Sequence, residues 1–205
     1  MKGLSKLDGA KAILFDVFGT LVEICDKRQP FAQLLSARGR VRNIDDATAI
    51  MTSNVGVSGA AQLLGIDLEP RVMAEIEINL YAELQSVRPF PEVVGVLKRL
   101  RDCGYKIGLC SNLAAPYAIP VKLLLSDMID TAIWSFDVGY VKPDRKIYER
   151  SISALGCAPH EVVMVGDTLE ADFHGPRRVG IRAIHLSRNR TSPVTDSIDS
   201  LAELL

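Results

Sequence analysis

Short apolar runs alternate along the chain with longer stretches in which apolar residues recur at helical spacing. The runs rich in β-forming residues lie at 12–15, 106–110, 132–136, 162–165 and 182–185. Each run is almost continuously hydrophobic, which is typical of strands covered by helices on both faces. Helical spacing fills the stretches 91–103, 116–126, 144–155 and 172–179. This alternation predicts an α/β fold, namely a doubly wound parallel sheet.

One segment breaks the alternation. From residue 23 to residue 87 no strand is evident, and helical stretches are predicted at 30–38, 45–53, 59–64 and 70–86. Pro89 and Pro91 restrict the backbone where the alternation resumes. We therefore expect a core domain made of residues 1–22 and 88–205, with residues 23–87 inserted as a helical cap. A last short helix is expected within 195–205, capped by Thr195, Asp196 or Ser197.

Composition narrows the class of partner. The chain has 205 residues, 48% of them apolar, and its net charge is −1. A balanced charge gives no field that favours nucleic acid or an anionic membrane, so we expect a small-molecule partner. No apolar run is long enough to cross a bilayer, and the four cysteines form no CxxC pair. We expect a soluble, cytoplasmic protein with reduced thiols, and the sequence indicates no oligomeric state.

Polar residues follow four of the predicted strands. Asp16 follows the first, Ser111 and Asn112 follow the second, and Lys142 comes after the third by a short loop. The fourth strand ends in Gly-Asp-Thr at 166–168, with another aspartate five residues beyond Asp167. Because ligands bind beyond the carboxyl ends of parallel strands, these side chains are predicted to share one cleft.

The carboxylates of this cleft suit covalent phosphoryl transfer. An aspartate can attack phosphorus and later be released from it by water, and Asp16 is placed for that role. Clustered carboxylates repel one another unless a hard cation neutralises them, and Mg²⁺ prefers oxygen ligands. Asp16 and Asp167 are therefore the natural Mg²⁺ ligands, and we expect Asp167 to be buried beside Asp16.

Donors for the oxygens of a phosphate are also present. The hydroxyl of Ser111, the ammonium of Lys142 and the backbone amides of Val17 and Phe18 are the candidates. Gly19 lets the turn after the aspartate pass close to a ligand.

At these residues the sequence resembles the haloacid dehalogenase superfamily. The resemblance covers about two-thirds of the chain, and four motifs together are far more specific than any one of them. The matching motifs are Asp16 followed by xxGT, Ser111 after the second strand, Lys142 in a KPD context, and GDxxxxD with Asp167 and Asp172.

The resemblance implies a Rossmann-like core, closed over by the helical cap, and it assigns roles. It implies that Asp16 is nucleophile and metal ligand, and that Ser111 and Lys142 hold the phosphate. It implies that the carbonyl of Phe18 and the side chain of Asp167 bind Mg²⁺. Two further roles are implied: Asp172 as a ligand or its support, and Asn112 as an orienting contact for substrate.

The first motif departs from the phosphatase pattern. Phosphatases of this superfamily carry an acid two residues after the nucleophile, where this chain has Phe18, and such a group typically contributes about 10²–10⁴-fold. Dehalogenases of the superfamily have an aromatic residue there, but they lack the Gly-Asp pair and bind no metal. We give the fourth motif more weight, which favours a Mg²⁺-dependent phosphatase acting on a small phosphorylated metabolite. The alternatives are a metal-independent 2-haloacid dehalogenase and a weakly active or inactive member that binds a metabolite or protein.

Two arginines lie outside these motifs. Arg188 and Arg190 are interpreted as solvated loop residues.

Overall fold

The molecule is built on a parallel sheet, seen in a computed structural model that describes residues 4–37, 43–188 and 192–205. The strands, in chain order, are β1 (Ala12–Phe15), β2 (Val22–Ile24), β3 (Val87–Pro89), β4 (Lys106–Ser111), β5 (Thr131–Trp134), β6 (Val162–Gly166), β7 (Arg182–Leu186) and β8 (Ser197–Ile198). Six of them form the sheet in the order β5-β4-β1-β6-β7-β8, with every neighbouring pair parallel. The predicted doubly wound fold is confirmed.

The helices are α1 (Pro30–Ser36), α2 (Ile44–Met51), α3 (Val57–Leu63), α4 (Pro70–Gln85), α5 (Val93–Asp102), α6 (Ala118–Leu125), α7 (Ser135–Val138), α8 (Arg145–Leu155) and α9 (Gly175–Arg177). Of these, α5 and α6 pack on one face of the sheet and α8 packs on the other. Successive residues of β1 enter different cores: Ile13 and Phe15 pack in one apolar cluster, whereas Ala12 and Leu14 pack in another. This arrangement explains why the strand sequences are hydrophobic throughout.

The helices α1 to α4 pack around an apolar cluster of their own, which includes Leu34, Ile50 and Ile76. At the base of this group β2 and β3 pair antiparallel, with Ile24 opposite Val87. We had predicted no strand between residues 23 and 87, and that expectation was wrong because three-residue strands are too short to show alternation. The division into a core and a cap at these boundaries stays a prediction.

The end of the chain also differs from expectation. The last segment forms β8 and a 3₁₀ helix, Leu201–Leu204, capped by the hydroxyl of Ser200 rather than by residues 195–197. The helix predicted at 172–179 is a π-helix, Leu169–His174, followed by α9. The predicted end of the first cap helix, at Arg38, lies outside the described residues. Among the helices of the described ranges, none has the length and hydrophobicity that a bilayer crossing requires.

Candidate active site

The predicted nucleophile follows β1, the strand flanked by β4 and β6. The backbone amide of Asp16 still donates to the sheet, at 2.9 Å from the carbonyl oxygen of Val165, so the residue is fixed at the strand end. Its side chain is 10% exposed. One carboxylate oxygen, Oδ1, accepts from Ser111 Oγ at 3.1 Å and from Lys142 Nζ at 2.7 Å. Within the described residues the other oxygen has no donor, so it is free to react.

Lys142 is held from two directions. Its ammonium is 2% exposed and contacts Asp16 Oδ1 at 2.7 Å and Asp172 Oδ1 at 2.6 Å. Burial alone would lower the pKa of Lys142, but the two carboxylates outweigh burial and raise it. The amide of Asn112 bonds at both ends to the Lys142 backbone, accepting from its N–H at 2.7 Å and donating to its carbonyl at 2.8 Å. In this structure Asn112 therefore fixes the loop that carries the lysine, and its predicted contact with substrate stays a prediction.

The carboxylate of Asp172 lies in the first π-helical turn beyond β6 and is 1% exposed. Its two oxygens are occupied, Oδ1 by the Lys142 ammonium at 2.6 Å and Oδ2 by the backbone amide of Thr168 at 3.0 Å. Burial raises the pKa of Asp172, and the nearby lysine opposes that rise. The π-helix is tied to α8 by Tyr148, whose buried hydroxyl donates to the carbonyl of Ala171 at 2.5 Å. With both oxygens engaged, Asp172 is better suited to supporting the lysine than to binding a metal.

Asp167 lies at the rim of the cleft and is exposed, so our expectation that it is buried was wrong. It is the first residue beyond β6, and a cavity of about 640 Å³ opens beside it. Partial desolvation raises the pKa of Asp167, and the negative charge of Asp16 raises it further. Its backbone carbonyl lies 3.1 Å from His185 Nε2, so this imidazole nitrogen carries the hydrogen, while Nδ1 is paired with Ser192 at 2.8 Å.

The net charge of the three clustered aspartates indicates whether this site suits a metal ion. Carboxylate oxygens of Asp16, Asp167 and Asp172 all lie within 4.8 Å of one another. Lys142 is the one ammonium that bridges this cluster within the described residues, so negative charge is left over, mainly at Asp167. Hard oxygen ligands with surplus negative charge fit a divalent cation such as Mg²⁺, with Asp16 and Asp167 as the residues that would hold it.

In the part of the chain that the structure describes, backbone hydrogen bonds close the turn after Asp16 but leave two of its amides unused. The Val17 carbonyl accepts from the amides of Leu21 and Val22, which closes the turn, at 2.8 and 3.0 Å. By contrast, the N–H groups of Val17 and Phe18 have no acceptor among the described residues. Gly19 has a φ of +88°, and a Cβ there would lie 2.4 Å from Asp167 Oδ2. The glycine therefore lets the turn and the carboxylate of Asp167 approach each other, while its predicted close approach to a ligand stays a prediction.

Phe18 occupies an apolar setting between the core and the helices α1 to α4. Its ring meets Tyr117 edge to face, with ring centroids 5.7 Å apart. The Tyr117 hydroxyl donates to Glu83 Oε1 at 2.7 Å, and Glu83 Oε2 accepts from the backbone amides of Arg28 and Gln29, both at 2.5 Å. Next to this pair is a cavity of about 310 Å³, lined mostly by apolar side chains. The surroundings of Phe18 therefore offer hydrophobic contact in place of the usual acid.

Arg188 was missed by sequence reasoning. It was interpreted as solvated, yet its side chain is 20% exposed and donates to the carbonyls of Gly19 and Thr20. A lone arginine two residues past a strand carries no pattern that separates this role from a surface charge. Arg190, interpreted in the same way, lies outside the described residues.

Comparison with known proteins gives the family. A family model described as haloacid dehalogenase-like hydrolase matches residues 10–180, which is most of the chain and includes every motif residue named above. The chain belongs to the haloacid dehalogenase-like hydrolases. The family and fold expected from the four motifs are therefore confirmed.

Individual relatives agree with this membership of the haloacid dehalogenase-like hydrolases. Glyceraldehyde 3-phosphate phosphatase of Methanopyrus kandleri is 29% identical over 130 residues, which are 62% of this chain and 56% of that protein. (S)-2-haloacid dehalogenase 4A of Burkholderia cepacia is 22% identical over 97% of this chain and 94% of its own length. The crystal structure of a HAD phosphatase from Thermococcus onnurineus has a TM-score of 0.68 and 28% identity, and the alignment covers 95% of both chains. The chain spans about half the length of the first curated relatives that it matches.

Proposed function

We propose that this hydrolase cleaves small phosphate monoesters or acyl phosphates through an aspartyl-phosphate intermediate on Asp16, with Mg²⁺ as cofactor. The observation that carries the proposal is the cluster at Asp16, where Ser111 and Lys142 contact one carboxylate oxygen and Asp167 adds uncompensated negative charge. The name of the Methanopyrus relative supports a small phosphorylated metabolite as substrate.

In the first step the free oxygen of Asp16 attacks phosphorus. A bond forms between that oxygen and phosphorus, the bond from phosphorus to the leaving oxygen breaks, and its electron pair stays on the leaving group. In this proposal Ser111, Lys142 and the amides of Val17 and Phe18 donate to the phosphoryl oxygens as their charge redistributes, which the contacts of Ser111 and Lys142 with Asp16 support. When bound, Mg²⁺ supplies charge neutralisation for the phosphoryl group.

In the second step the oxygen of a water molecule forms a bond to phosphorus, and the bond from phosphorus to Asp16 breaks with its electron pair returning to the carboxylate. Phosphate leaves carrying both protons of that water. The cavity beside Asp167 gives water a route to the cleft. The buried Lys142 keeps one positive charge between Asp16 and Asp172 throughout, because its raised pKa keeps it protonated at neutral pH.

The leaving group determines which substrates suit this site. Phe18 has no proton to give, so the leaving oxygen must depart as an anion or take its proton from water. Acyl and aryl phosphates leave with little need of protonation and are the proposed favoured substrates. We also propose that residues 23–87 close over this side of the cleft as a cap, which brings apolar side chains such as Phe31 near Tyr117.

A dehalogenase is the second candidate, and the apolar contact of Phe18 with Tyr117 favours it. A halide leaves without a proton, so the missing acid would cost that reaction nothing. The Burkholderia dehalogenase also matches nearly the whole chain. Against it is the surplus negative charge at Asp167, which a reaction without metal does not require.

The test uses four substrates, acetyl phosphate, 4-nitrophenyl phosphate, glycerol phosphate and 2-chloropropionate, each with Mg²⁺ and with EDTA. We expect phosphate release that depends on Mg²⁺, with the two activated phosphates turned over faster than glycerol phosphate. Asp16→Asn should abolish it, while Asp137→Asn, on the short helix α7, serves as the matched control. Halide release that is independent of metal would replace the proposal with the dehalogenase. Absence of any turnover would favour a binding role.

A further inference from the structure

In the turn that follows Asp16, two backbone carbonyls are bonded by one side chain from far along the chain. The carbonyl oxygens of Gly19 and Thr20 accept from Arg188, from Nε at 3.3 Å and from Nη2 at 2.8 Å. These two carbonyls lie 169 and 168 residues before the arginine in the chain. From this geometry we infer that Arg188 is a positioning residue for the nucleophile turn. The inference rests on the proposed function only for its catalytic consequence.

Arg188 is itself held rigidly. Its third guanidinium nitrogen, Nη1, forms an ion pair with Glu92 Oε1 at 2.6 Å, and both side chains are 20% exposed. The guanidinium carbon lies 3.8 Å from the centroid of the Phe90 ring, a cation–π contact. The planar guanidinium contacts two carbonyls, a carboxylate and an aromatic face at once, and the ammonium of a lysine is not suited to making all of these contacts. The arginine therefore links the turn after Asp16 to the segment that contains Phe90 and Glu92.

The same strand end also contacts the residue proposed to bind Mg²⁺. Three residues before Arg188, His185 lies within hydrogen-bond distance of the carbonyl of Asp167. The backbone of Gly19 lies so close to the Asp167 carboxylate that a side chain at position 19 would not fit. The end of β7 thus fixes the distance between the turn that carries Asp16 and the residue proposed to bind Mg²⁺.

Displacement of the turn should act on the reaction rather than on binding of substrate. The amides of Val17 and Phe18 are proposed to meet charge that grows in the transition state, and Asp16 must be aligned with phosphorus. A shift of about 1 Å in such a group costs on the order of 10²-fold. We therefore expect Arg188→Ala to lower kcat about 10²-fold with KM for 4-nitrophenyl phosphate little changed.

Guanidinium ion at millimolar concentration should restore part of that kcat by occupying the vacated place, whereas sodium chloride at equal ionic strength should not. The matched control is Arg145→Ala, which removes an exposed arginine from a surface ion pair with Glu149 and should show neither loss nor rescue. Hydrogen exchange supplies a readout that needs no activity: Arg188→Ala should speed exchange of the amides at 19–22 relative to the amides of β1 and β6.

Unchanged kcat in Arg188→Ala would overturn the inference, and so would a loss of kcat that guanidinium does not restore and that matches a general loss of stability. If the alanine variant does not fold, Arg188→Lys keeps the aliphatic stem, and its kcat and exchange rates decide by the same criteria. If the wild-type protein hydrolyses no phosphate, the proposed function fails, while exchange at 19–22 still decides the role of Arg188.

Discussion

The buried ammonium of Lys142 allows a quantitative prediction for Lys142→Met. The substitution keeps the length of the side chain but removes the positive charge between Asp16 and Asp172, which are 2.7 and 2.6 Å away. The ammonium is 2% exposed, so solvent cannot take its place without rearrangement. Removal of one partner from a buried ion pair costs about 3–5 kcal/mol. We expect a loss of that size in the free energy of unfolding when metal is absent.

Urea unfolding at pH 7.5 in EDTA measures this loss, and the same titration with saturating Mg²⁺ should give a smaller one, since a cation near Asp16 compensates part of the missing charge. Lys11→Met is the control, because Lys11 pairs with Glu161 at the surface with its side chain 69% exposed. That variant should change stability far less. A Lys142→Met protein as stable in EDTA as the control would refute the account of the buried charge.

Four further predictions concern other residues in and around the site. Phe18→Asp should raise turnover of alkyl phosphates by about 10²-fold or more while changing acetyl phosphate little, measured as the ratio of the two kcat/KM values. Gly19→Ala should weaken Mg²⁺ activation about 10-fold or more, because its Cβ would meet Asp167, and a Mg²⁺ titration of activity checks this. Tyr148→Phe should lower the free energy of unfolding by about 1 kcal/mol, measured in urea. In EDTA, folded Asp172 binds its proton more tightly than the unfolded chain, so its contribution to stability should fall as pH rises from about 4 to about 6, measured as the Tm of the wild type minus the Tm of Asp172→Asn. A Tm difference that grows with pH through that window would contradict the raised pKa of Asp172.

The sheet could be predicted because its strands are covered on both faces. Ile13 and Leu14 enter different apolar cores, so nothing in β1 alternates, and the continuous run at 12–15 is visible in the sequence. The strands β2 and β8 could not be predicted, since they have only three and two residues, and β2 also depends on a partner far along the chain. Tertiary pairing, not local preference, makes them strands.

The site could be predicted to the extent that its residues follow strands. Asp16 comes directly after β1 and Ser111 is the last residue of β4, and Ser111 Oγ lies 3.1 Å from Asp16 Oδ1. The exposure of Asp167 could not be predicted, because it depends on the cavity beside it. The role of Arg188 depends on carbonyls of a distant turn, and backbone acceptors leave no trace in the sequence. Asn112 illustrates the same limit, as its partner is the backbone of Lys142.

The central claim, that Asp16 carries the phosphoryl group, can be tested by trapping. Wild-type protein turning over 4-nitrophenyl phosphate with Mg²⁺ is quenched rapidly and treated with borohydride, which reduces an acyl phosphate to an alcohol, and the peptides are analysed by mass spectrometry. We predict reduction at Asp16 alone, present during turnover and absent in EDTA. An unmodified Asp16 in protein that is hydrolysing the substrate, or reduction at another carboxylate, would contradict the account.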